Sequence, residues 1–402
     1  ASDVYKRQEW HPYRIKDIAQ LISIKSEDLT LPYIALDNII SWDATFVPSD
    51  SATDGNSNLC EAGDVLFGKL RPYLAKAYIP TKKSICSPEF LVLRPNEGTN
   101  NKFLLYFLLS KSFISHIRNQ VAGVKMPRTN WSQISCYPIL MPSPKVQEAI
   151  AEYLDKKSKK IGHNIELLER KADAYKRLRR SIINRAVTRG LNPDATMKPS
   201  GLGWNTFIPE NWGVGRIRNY FEFRNEKVSE IDYAPLSVTK NGVVPQMESV
   251  AKSMAEGDTR KKVCKDDFVV NSRSDRKGSC GTSPMDGSVS LIYIVLKPTQ
   301  INPNFADYYF RCNDWVEEFY RNGKGIVADL WATNYSVMRN IEIALPPYIE
   351  QQQIAAYLDE KCGKIDAIIE KIDTQIKRLK ELKRSLINEV VTGKRAITTY
   401  MP

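Results

Sequence analysis

The side chains best suited to a chemical task in this sequence are arginine, lysine and asparagine residues grouped in short polar segments. These side chains hold phosphate groups, and arginine and asparagine also read the edges of guanine and adenine. The sequence therefore predicts contacts with DNA from two sets of residues, one in each half of the chain. The first set is Lys69, Arg71, Lys76, Lys125, Arg128 and Asn130. The second set is Lys240, Asn241, Asn271, Arg273, Ser274, Arg276 and Lys277. For any one of these residues the alternative is an ordinary surface loop.

Patterns typical of catalysis or metal binding do not accompany these segments. His11, His116 and His163 have no metal-ligand partner at helical spacing. The seven cysteines are scattered and form no C-x-x-C pair, so neither a zinc site nor a disulfide framework is predicted. The sequence contains no G-x-x-x-x-G-K-[ST] phosphate-binding loop. We therefore predict that the chain is not an enzyme, has no catalytic residue and binds no metal or cofactor itself.

The charge balance favours a polyanionic partner. The sequence has 58 Lys and Arg residues against 46 Asp and Glu, which gives a net charge of +12 and a pI near 9.2. Such an excess is typical of proteins that bind nucleic acid or an anionic membrane surface. The longest strongly apolar run, 103–109, is far shorter than the roughly 20 residues that span a bilayer. No secretory signal is recognised at the N-terminus, so the sequence predicts a cytoplasmic protein with no membrane partner.

The elements that must position these residues occur twice. Residues 142–190 and 346–394 align without a gap at an offset of 204, with 20 identities in 49 positions. Trp10, Arg14 and Ile15 match Trp212, Arg216 and Ile217 at an offset of 202. The chain is therefore interpreted as a tandem of two units of about 200 residues, which is too long a period for a solenoid.

Each duplicated segment carries a heptad pattern of apolar residues. In the first copy the two heptad positions are Ala151, Ile165, Ala172 and Ala186, and Leu154, Ile161, Leu168, Tyr175 and Ile182. In the second they are Ala355, Cys362, Ile369, Ile376 and Val390, and Leu358, Ile365, Ile372, Leu379 and Leu386. A seam this narrow needs another long helix, so the two helices are predicted to pair in an antiparallel coiled coil with a globular unit at each end. A parallel pair would need the linker between the halves to stretch back.

The predicted fold class is α+β, with two similar mixed α/β domains joined by the two helices. The predicted boundaries are a first domain at 1–144, a first helix at 145–190, a linker at 191–208, a second domain at 209–348, a second helix at 349–394 and a tail at 395–402. Strands are predicted at 65–67, 90–93, 268–270 and 291–296, and helices at 101–118 and 305–321.

Matched residues at the two helix starts suggest a pair of protein-binding surfaces. They are Gln147, Tyr153 and Asp155 in the first copy, and Gln351, Tyr357 and Asp359 in the second. The alternative is that they only pack each helix start against its own domain.

Three segments together make the chain resemble the specificity subunit of type I restriction–modification systems. They are the run from Pro346 to Asp359 with its copy from Pro142, the run 200–212 (SGLGWNTFIPENW), and the run 63–74 (GDVLFGKLRPYL). The first copy departs from the usual Pro-Pro-x-x-Glu-Gln pattern at Ser143 and in the run 145–148 (KVQE), which leaves the start of the helix intact.

The resemblance implies two target recognition domains, each reading half of a split DNA site. It further implies two helices that set the spacer, two modification (methyltransferase) subunits as partners, and restriction subunits. Those partners would supply the chemistry that uses S-adenosylmethionine, ATP and Mg²⁺. Two other interpretations stay open: a coiled-coil adaptor with two protein-binding ends, and a self-contained nuclease or methyltransferase.

Overall fold

The computed structural model of the chain describes residues 10–26, 28, 30–49, 56–120, 126–246, 259–273, 277–323 and 333–397. Two compact units are distinguished within the chain. Unit 1 comprises Ala1–Glu169 together with Asp373–Pro402, and unit 2 comprises Arg170–Ile372. Each unit therefore contains one globular part, the first portion of one long helix and the last portion of the other.

Unit 1 alternates short strands with short helices before its long helix begins. Its strands are β1 (His11–Arg14), β2 (Ala19–Ile22), β3 (Lys25–Ser26), β4 (Tyr33–Ile34), β5 (Ser57–Cys60), β6 (Val65–Gly68), β7 (Ala77–Tyr78), β8 (Ser84–Cys86), β9 (Phe90–Pro95) and β10 (Pro138–Met141). Its helices are α1 (Ile15–Ile18), α2 (Asn101–Leu108), α3 (Lys111–Gln120), α4 (Trp131–Ser135) and the start of α5 (Pro144–Arg189), with 3₁₀ turns at Leu36–Asn38 and Pro72–Leu74.

Two four-stranded sheets form the β part of unit 1. One is antiparallel with the order β2-β9-β6-β7, and the other has the order β3-β5-β8-β4 with β4 parallel to β8. Strand β1 pairs with β10, so the first described strand lies beside the strand that leads into α5. Strands β6 and β9 carry continuous apolar runs because their central residues are buried. The strands predicted at 65–67 and 90–93 are thereby confirmed.

Unit 2 likewise alternates short strands with short helices before its long helix begins. Its strands are β11 (Met197–Pro199), β12 (Phe207–Pro209), β13 (Gly213–Arg216), β14 (Phe221–Arg224), β15 (Lys227–Val228), β16 (Leu236–Thr239), β17 (Gly242–Pro245), β18 (Arg260–Val263), β19 (Phe268–Val270), β20 (Cys280–Thr282), β21 (Gly287–Ser290), β22 (Ile294–Pro298) and β23 (Glu342–Leu345). Its helices are α6 (Pro303–Arg311), α7 (Asn313–Arg321), α8 (Tyr335–Met338) and the start of α9 (Tyr348–Val391), with a 3₁₀ turn at Ile217–Asn219.

The main sheet of unit 2 has the same connectivity as that of unit 1. Its order is β14-β22-β19-β20, and all of its pairs are antiparallel. The second sheet is β15-β18-β21, and β13 pairs with β23 as β1 pairs with β10. Each main sheet also holds a buried aspartate in a bidentate ion pair with a more exposed arginine: Asp64 with Arg94 in unit 1, and Asp267 with Arg224 in unit 2. The aspartates occupy equivalent positions, while the arginines come from different strands.

The structure corrects three of the predicted elements. The helix predicted at 101–118 is two helices, α2 and α3, separated at Leu109 and Ser110. The helix predicted at 305–321 is also two, because Cys312 adopts an extended backbone (φ −66°, ψ 150°) between α6 and α7. The strand predicted at 291–296 begins only at Ile294, since a turn occupies the preceding residues. The sequence does not reveal these breaks, because the apolar faces of both short helices pack against the same core. The apolar periodicity therefore continues across the break. The strand predicted at 268–270 is confirmed.

The helices α5 and α9 are 46 and 44 residues long. Their heptad positions are mostly buried, including Leu154, Ala172, Leu358 and Ile376. The predicted linker at 191–208 contains β11 and the start of β12, which pair with each other. Among the described residues, none of the helices has the length and apolar character needed to cross a membrane.

Within unit 2 the two long-helix segments run in opposite directions. Near the end of α5, Gly190 lies beside Glu350 in the first turn of α9. Arg179 comes before Gly190 in the chain, and it forms an ion pair at 3.0 Å with Asp366, which comes after Glu350 in α9. Gly190 also packs against Trp212, and in unit 1 Gly393 packs in the same way against the equivalent Trp10. The end of each long helix is therefore anchored on a tryptophan of the globular part in its own unit.

Candidate nucleic-acid interface

Two loops of unit 1 that the sequence analysis selected separately lie together in the structure. One follows β6 and carries Lys69 and Arg71, and the other precedes α4. The amide of Arg71 donates to the carbonyl of Pro127 at 2.8 Å, and the amide of Thr129 donates to the carbonyl of Lys69 at 3.0 Å. Leu70 and Arg128 form an isolated antiparallel bridge. These backbone contacts make one surface, the unit 1 loop pair (residues 69–76 and 126–130).

The polar residues of the unit 1 loop pair differ in exposure and in whether the side chain already has a partner within the unit. Arg71 is exposed and adopts the left-handed conformation (φ 49°, ψ 58°), which costs a non-glycine residue about 1–2 kcal/mol. Arg128 is exposed but forms a forked pair with Glu89 at 3.1 Å. Lys76 points inward, because its ammonium donates to the carbonyl of Leu36 at 2.7 Å. Asn130 caps α4 by accepting from the amide of Gln133.

Unit 2 builds the equivalent surface from its own two loops. The loop after β19 carries Arg273, which lies 202 residues after Arg71, and the amide of Thr333 donates to the carbonyl of Ser272. Arg273 is exposed, and its carbonyl accepts from the hydroxyl of Tyr320 at 3.1 Å. Residues 271–273, 277–279 and 333–334 form the described part of this unit 2 loop pair.

The other predicted residues of unit 2 divide into structural and exposed ones. Asn271 is only 4% exposed, and its side-chain oxygen accepts from the amide of Arg273. Lys277 pairs with Glu317 at 2.6 Å and remains partly exposed. Lys240 and Asn241 form the exposed turn of the β16–β17 hairpin. Lys125, Ser274 and Arg276 lie outside the described residues.

A cleft in unit 2 gathers basic side chains, three of which the sequence analysis did not select. Its volume is about 460 Å³. The basic residues that line it are Arg179, Arg180, Lys240, Lys277 and Arg311. The two arginines from α5 were missed because they belong to the heptad segment, where a charged residue is expected to be solvated. Only the fold brings that helix against the hairpin and α6.

The glutamines proposed to bind a partner are buried instead. Gln147 and Gln351 are each 2% exposed. Gln351 donates to the carbonyl of Pro346 at 2.9 Å and accepts from the amide of Asn302 at 2.8 Å, while Gln147 makes the same bonds with Pro142 and Asn100. For these two residues the structure contradicts a protein-binding surface, because their amides are already used inside the domain.

The other matched residues at the helix starts also contact their own domain. Asp155 accepts from the hydroxyl of Tyr106 at 2.7 Å, and Asp359 accepts from that of Tyr308 at 2.9 Å. Burial, helped by the neighbouring carboxylate, raises the pKa of both tyrosines above the usual value. Tyr153 and Tyr357 are partly exposed, each with a lysine ammonium 5.6 Å from its ring centre.

Exposed apolar side chains at the helix starts provide a surface that the sequence analysis missed. In unit 2, Ile349 is 71% exposed beside a cleft of about 520 Å³ that Leu191 and Asn211 also line. In unit 1, Tyr13 is exposed at a cleft of about 330 Å³ next to the start of α5. Such side chains commonly mark sites of protein association.

Metal ligation has no counterpart in the part of the chain that the structure describes. No group of three or more His, Cys, Asp or Glu residues there is arranged to hold a metal ion. The buried thiols of Cys280 and Cys312 have their pKa values raised by burial to about 12. A thiol that keeps its proton is a poor nucleophile and a poor ligand.

Comparison with known proteins places this architecture in a family. The model of the type I restriction modification DNA specificity domain matches residues 7–170. A putative type I restriction enzyme MjaX specificity subunit of Methanocaldococcus jannaschii is 24% identical over 362 residues, which cover 84% of this chain and 79% of that protein. Residues 7–170 therefore match that specificity domain, and over most of its length the chain is similar to specificity subunits of type I restriction–modification systems.

Another specificity subunit and two solved structures are also similar to this chain. The StySPI specificity subunit of Salmonella potsdam is 21% identical over 311 residues, covering 75% of this chain and 67% of that protein. A solved chain from a study of complex assembly and conformational transition of the type I R-M system superposes with a TM-score of 0.72 at 16% identity, over 96% of this chain and 98% of that one. The HsdS subunit from Thermoanaerobacter tengcongensis gives a TM-score of 0.52 at 17% identity, over 96% and 97%. At these identities the structures establish the shared fold.

Proposed function

We propose that this chain reads a bipartite DNA site, one half with each loop pair, and recruits the subunits that methylate and cleave DNA. The observation that carries the proposal is the equivalence of the two loop pairs. Each joins the loop after a central strand to the loop before a short helix by backbone hydrogen bonding, and each exposes an arginine at the equivalent position, Arg71 or Arg273. A rigid backbone beneath an exposed arginine suits base recognition in the major groove.

The same geometry narrows the set of DNA-contacting residues. Arg71, Arg273, Lys240 and Asn241 are exposed, whereas Lys76 and Asn271 are used inside the domain. Arg128 would have to break its ion pair with Glu89 before it could contact a phosphate or a base. We therefore assign direct readout to Arg71 and Arg273, and the strained backbone of Arg71 supports this choice because strain is commonly retained at functional positions.

The long helices are proposed to act as a spacer between the two half-sites. Helices of 46 and 44 residues measure roughly 65–70 Å at 1.5 Å per residue. The heptad burial and the antiparallel contacts in unit 2 support an antiparallel coiled coil along their length. The chain itself would supply no catalysis, and it would bind neither S-adenosylmethionine nor ATP and Mg²⁺, which belong to its partner subunits.

Exchange of each exposed arginine tests the readout. In cells that also carry the modification subunit, Arg273→Ala is expected to relax recognition in one half of the methylated site and Arg71→Ala in the other. A lost bidentate contact lowers discrimination by about 1–3 kcal/mol, or roughly fivefold to 150-fold. Genome-wide mapping of methylated sites measures both effects. Arg118→Ala, an exposed arginine of α3 outside the loop pair, serves as the control and should leave the site unchanged.

Relaxation of both halves by either variant, or of neither, would contradict the assignment. A uniform loss of methylation at every site would indicate that the arginine contacts a phosphate rather than a base. The competing proposal, a coiled-coil adaptor with two protein-binding ends, predicts that the isolated chain has no salt-dependent affinity for duplex DNA.

A further inference from the structure

The position in unit 1 that corresponds to the basic cleft of unit 2 is occupied by side chains of unit 1 itself. Arg179 and Arg180 correspond to Lys383 and Arg384 at the offset of 204. In unit 1 the ammonium of Lys383 donates to a carboxylate oxygen of Asp43 at 2.8 Å and is almost fully buried. The guanidinium of Arg384 lies 4.6 Å from the ring centre of Trp42. The two cations are thus covered in unit 1 by the 42–43 turn, whereas in unit 2 they line an open cleft.

The cations of the cleft outnumber the carboxylates near them. Arg179 pairs with Asp366, Lys277 with Glu317, and Arg311 with Asp307, so three cations face three carboxylates. Within the described residues no ion pair involves Arg180 or Lys240. These two cations give the cleft its excess positive charge.

We propose that this cleft binds the phosphodiester backbone of the DNA whose second half-site is read by Arg273. Lys277 connects the two surfaces, because it belongs to the unit 2 loop pair and also lines the cleft. The volume of about 460 Å³ exceeds that of a single phosphate and suits a stretch of backbone. Tyr308 is the only aromatic residue among the described residues that line the cleft.

The proposal rests on the proposed DNA-binding function and makes the two units unequal. Unit 2 would hold backbone phosphates with α5 and the hairpin, while unit 1 has no open equivalent at Lys383 and Arg384. Loss of Arg180 and Lys240 should therefore reduce the phosphate contribution to binding without changing which bases are recognised.

The test measures binding of the full chain to a mixed-sequence DNA duplex across a series of NaCl concentrations. Arg180→Gln combined with Lys240→Gln is expected to weaken binding at low salt by roughly tenfold or more and to reduce the slope of log K against log salt by about 2, or roughly 0.9 per lost phosphate contact. Arg180→Lys combined with Lys240→Arg keeps both charges and should restore the slope.

The matched control is Lys171→Gln combined with Arg177→Gln, which removes two exposed cations of α5 that do not line the cleft. This control should change the slope by far less than the cleft variant. Equal slopes for the cleft variant and the wild type would overturn the cleft proposal while leaving DNA binding intact. An unchanged slope with weaker association of the modification subunit would assign the cleft to a protein partner, which also overturns it. Failure of the wild-type chain to bind duplex DNA would overturn both proposals.

Discussion

Gln147 and Gln351 each lie in the first turn of a long helix and join three parts of their own unit. Each side chain accepts from the amide that precedes a short helix, Asn100 or Asn302, and donates to the proline carbonyl just before the long helix. Water cannot replace these bonds, because both side chains are almost fully buried. An amide is suited to the position since it offers a donor and an acceptor on one planar group.

Replacement of Gln351 by alanine is expected to destabilise unit 2. The amide of Asn302 and the carbonyl of Pro346 would lose their buried partner, at a cost of about 2–4 kcal/mol for two unsatisfied groups. Hydrogen exchange gives a local measurement, because the amide of Asn302 should exchange faster in the variant. Gln352→Ala, one residue away and exposed, is the control and should leave that exchange unchanged. Equal protection of Asn302 in Gln351→Ala would show that the side chain contributes nothing there.

The cations of the loop pairs show why residue type alone selects too many contacts. Lys76, Arg128 and Lys277 have the right chemistry for phosphate, yet each is engaged by a carbonyl or carboxylate of its own unit. Those partners are 39 or 40 residues away in the sequence, so no local pattern indicates them. Arg71 and Arg273 remain exposed because their loops are held through the backbone.

At the scale of elements, the seam of the long helices is interrupted by polar residues at matching positions. Arg179 and Lys383 occupy the same heptad position in the two copies. Arg179 finds Asp366 on α9, but the residue of α5 equivalent to Asp366 is Gly162, so Lys383 pairs with Asp43 of the globular part instead. Polar seam residues commonly specify register at some cost in stability.

Insertion of two residues after Lys171 should disrupt the helix pairing. Each residue turns the helix by about 100°, so two residues turn the following seam by roughly 200° and expose it. The variant is expected to unfold at a lower temperature and to lose affinity for DNA. Thermal unfolding followed by circular dichroism measures the effect.

The control inserts seven residues after both Lys171 and its counterpart Gln375, which preserves the heptad phase in both helices. Stability should then be retained, and the spacer between the methylated half-sites should grow by about 10 Å, or roughly three base pairs. An unchanged spacer in an active, stable variant would exclude the helices as the spacer.

At the scale of the whole molecule, the duplication predicts two docking sites for modification subunits. The proposed contacts are Ile349, in the first turn of α9, and Tyr13, an exposed residue of β1 at the cleft beside the start of α5. Native mass spectrometry of the co-purified complex should find two modification subunits per wild-type chain and one for Ile349→Asp. Leu382→Asp, an exposed leucine of α9 outside the helix start, is the control and should retain two. One subunit per wild-type chain would contradict the two-site proposal.

The sequence alone was sufficient for the duplication, the two long helices and the central strands of both main sheets. These features depend on local periodicity: heptad spacing for α5 and α9, and buried apolar runs for β6, β9 and β19. Such local patterns can be recognised without knowing which distant residues come into contact, because each residue's role is set by neighbours three, four or seven positions away. The family resemblance was readable for the same reason.

Only the tertiary structure decided which polar residues are available for binding. It buried Gln147, Gln351 and Asn271, turned Lys76 inward, and brought Arg179 and Arg180 of α5 against the Lys240–Asn241 turn. It also left open in unit 2 a cleft that Trp42 and Asp43 cover in unit 1. Availability depends on contacts between residues far apart in the chain, because burial and ion pairing are satisfied by whichever groups the fold brings near.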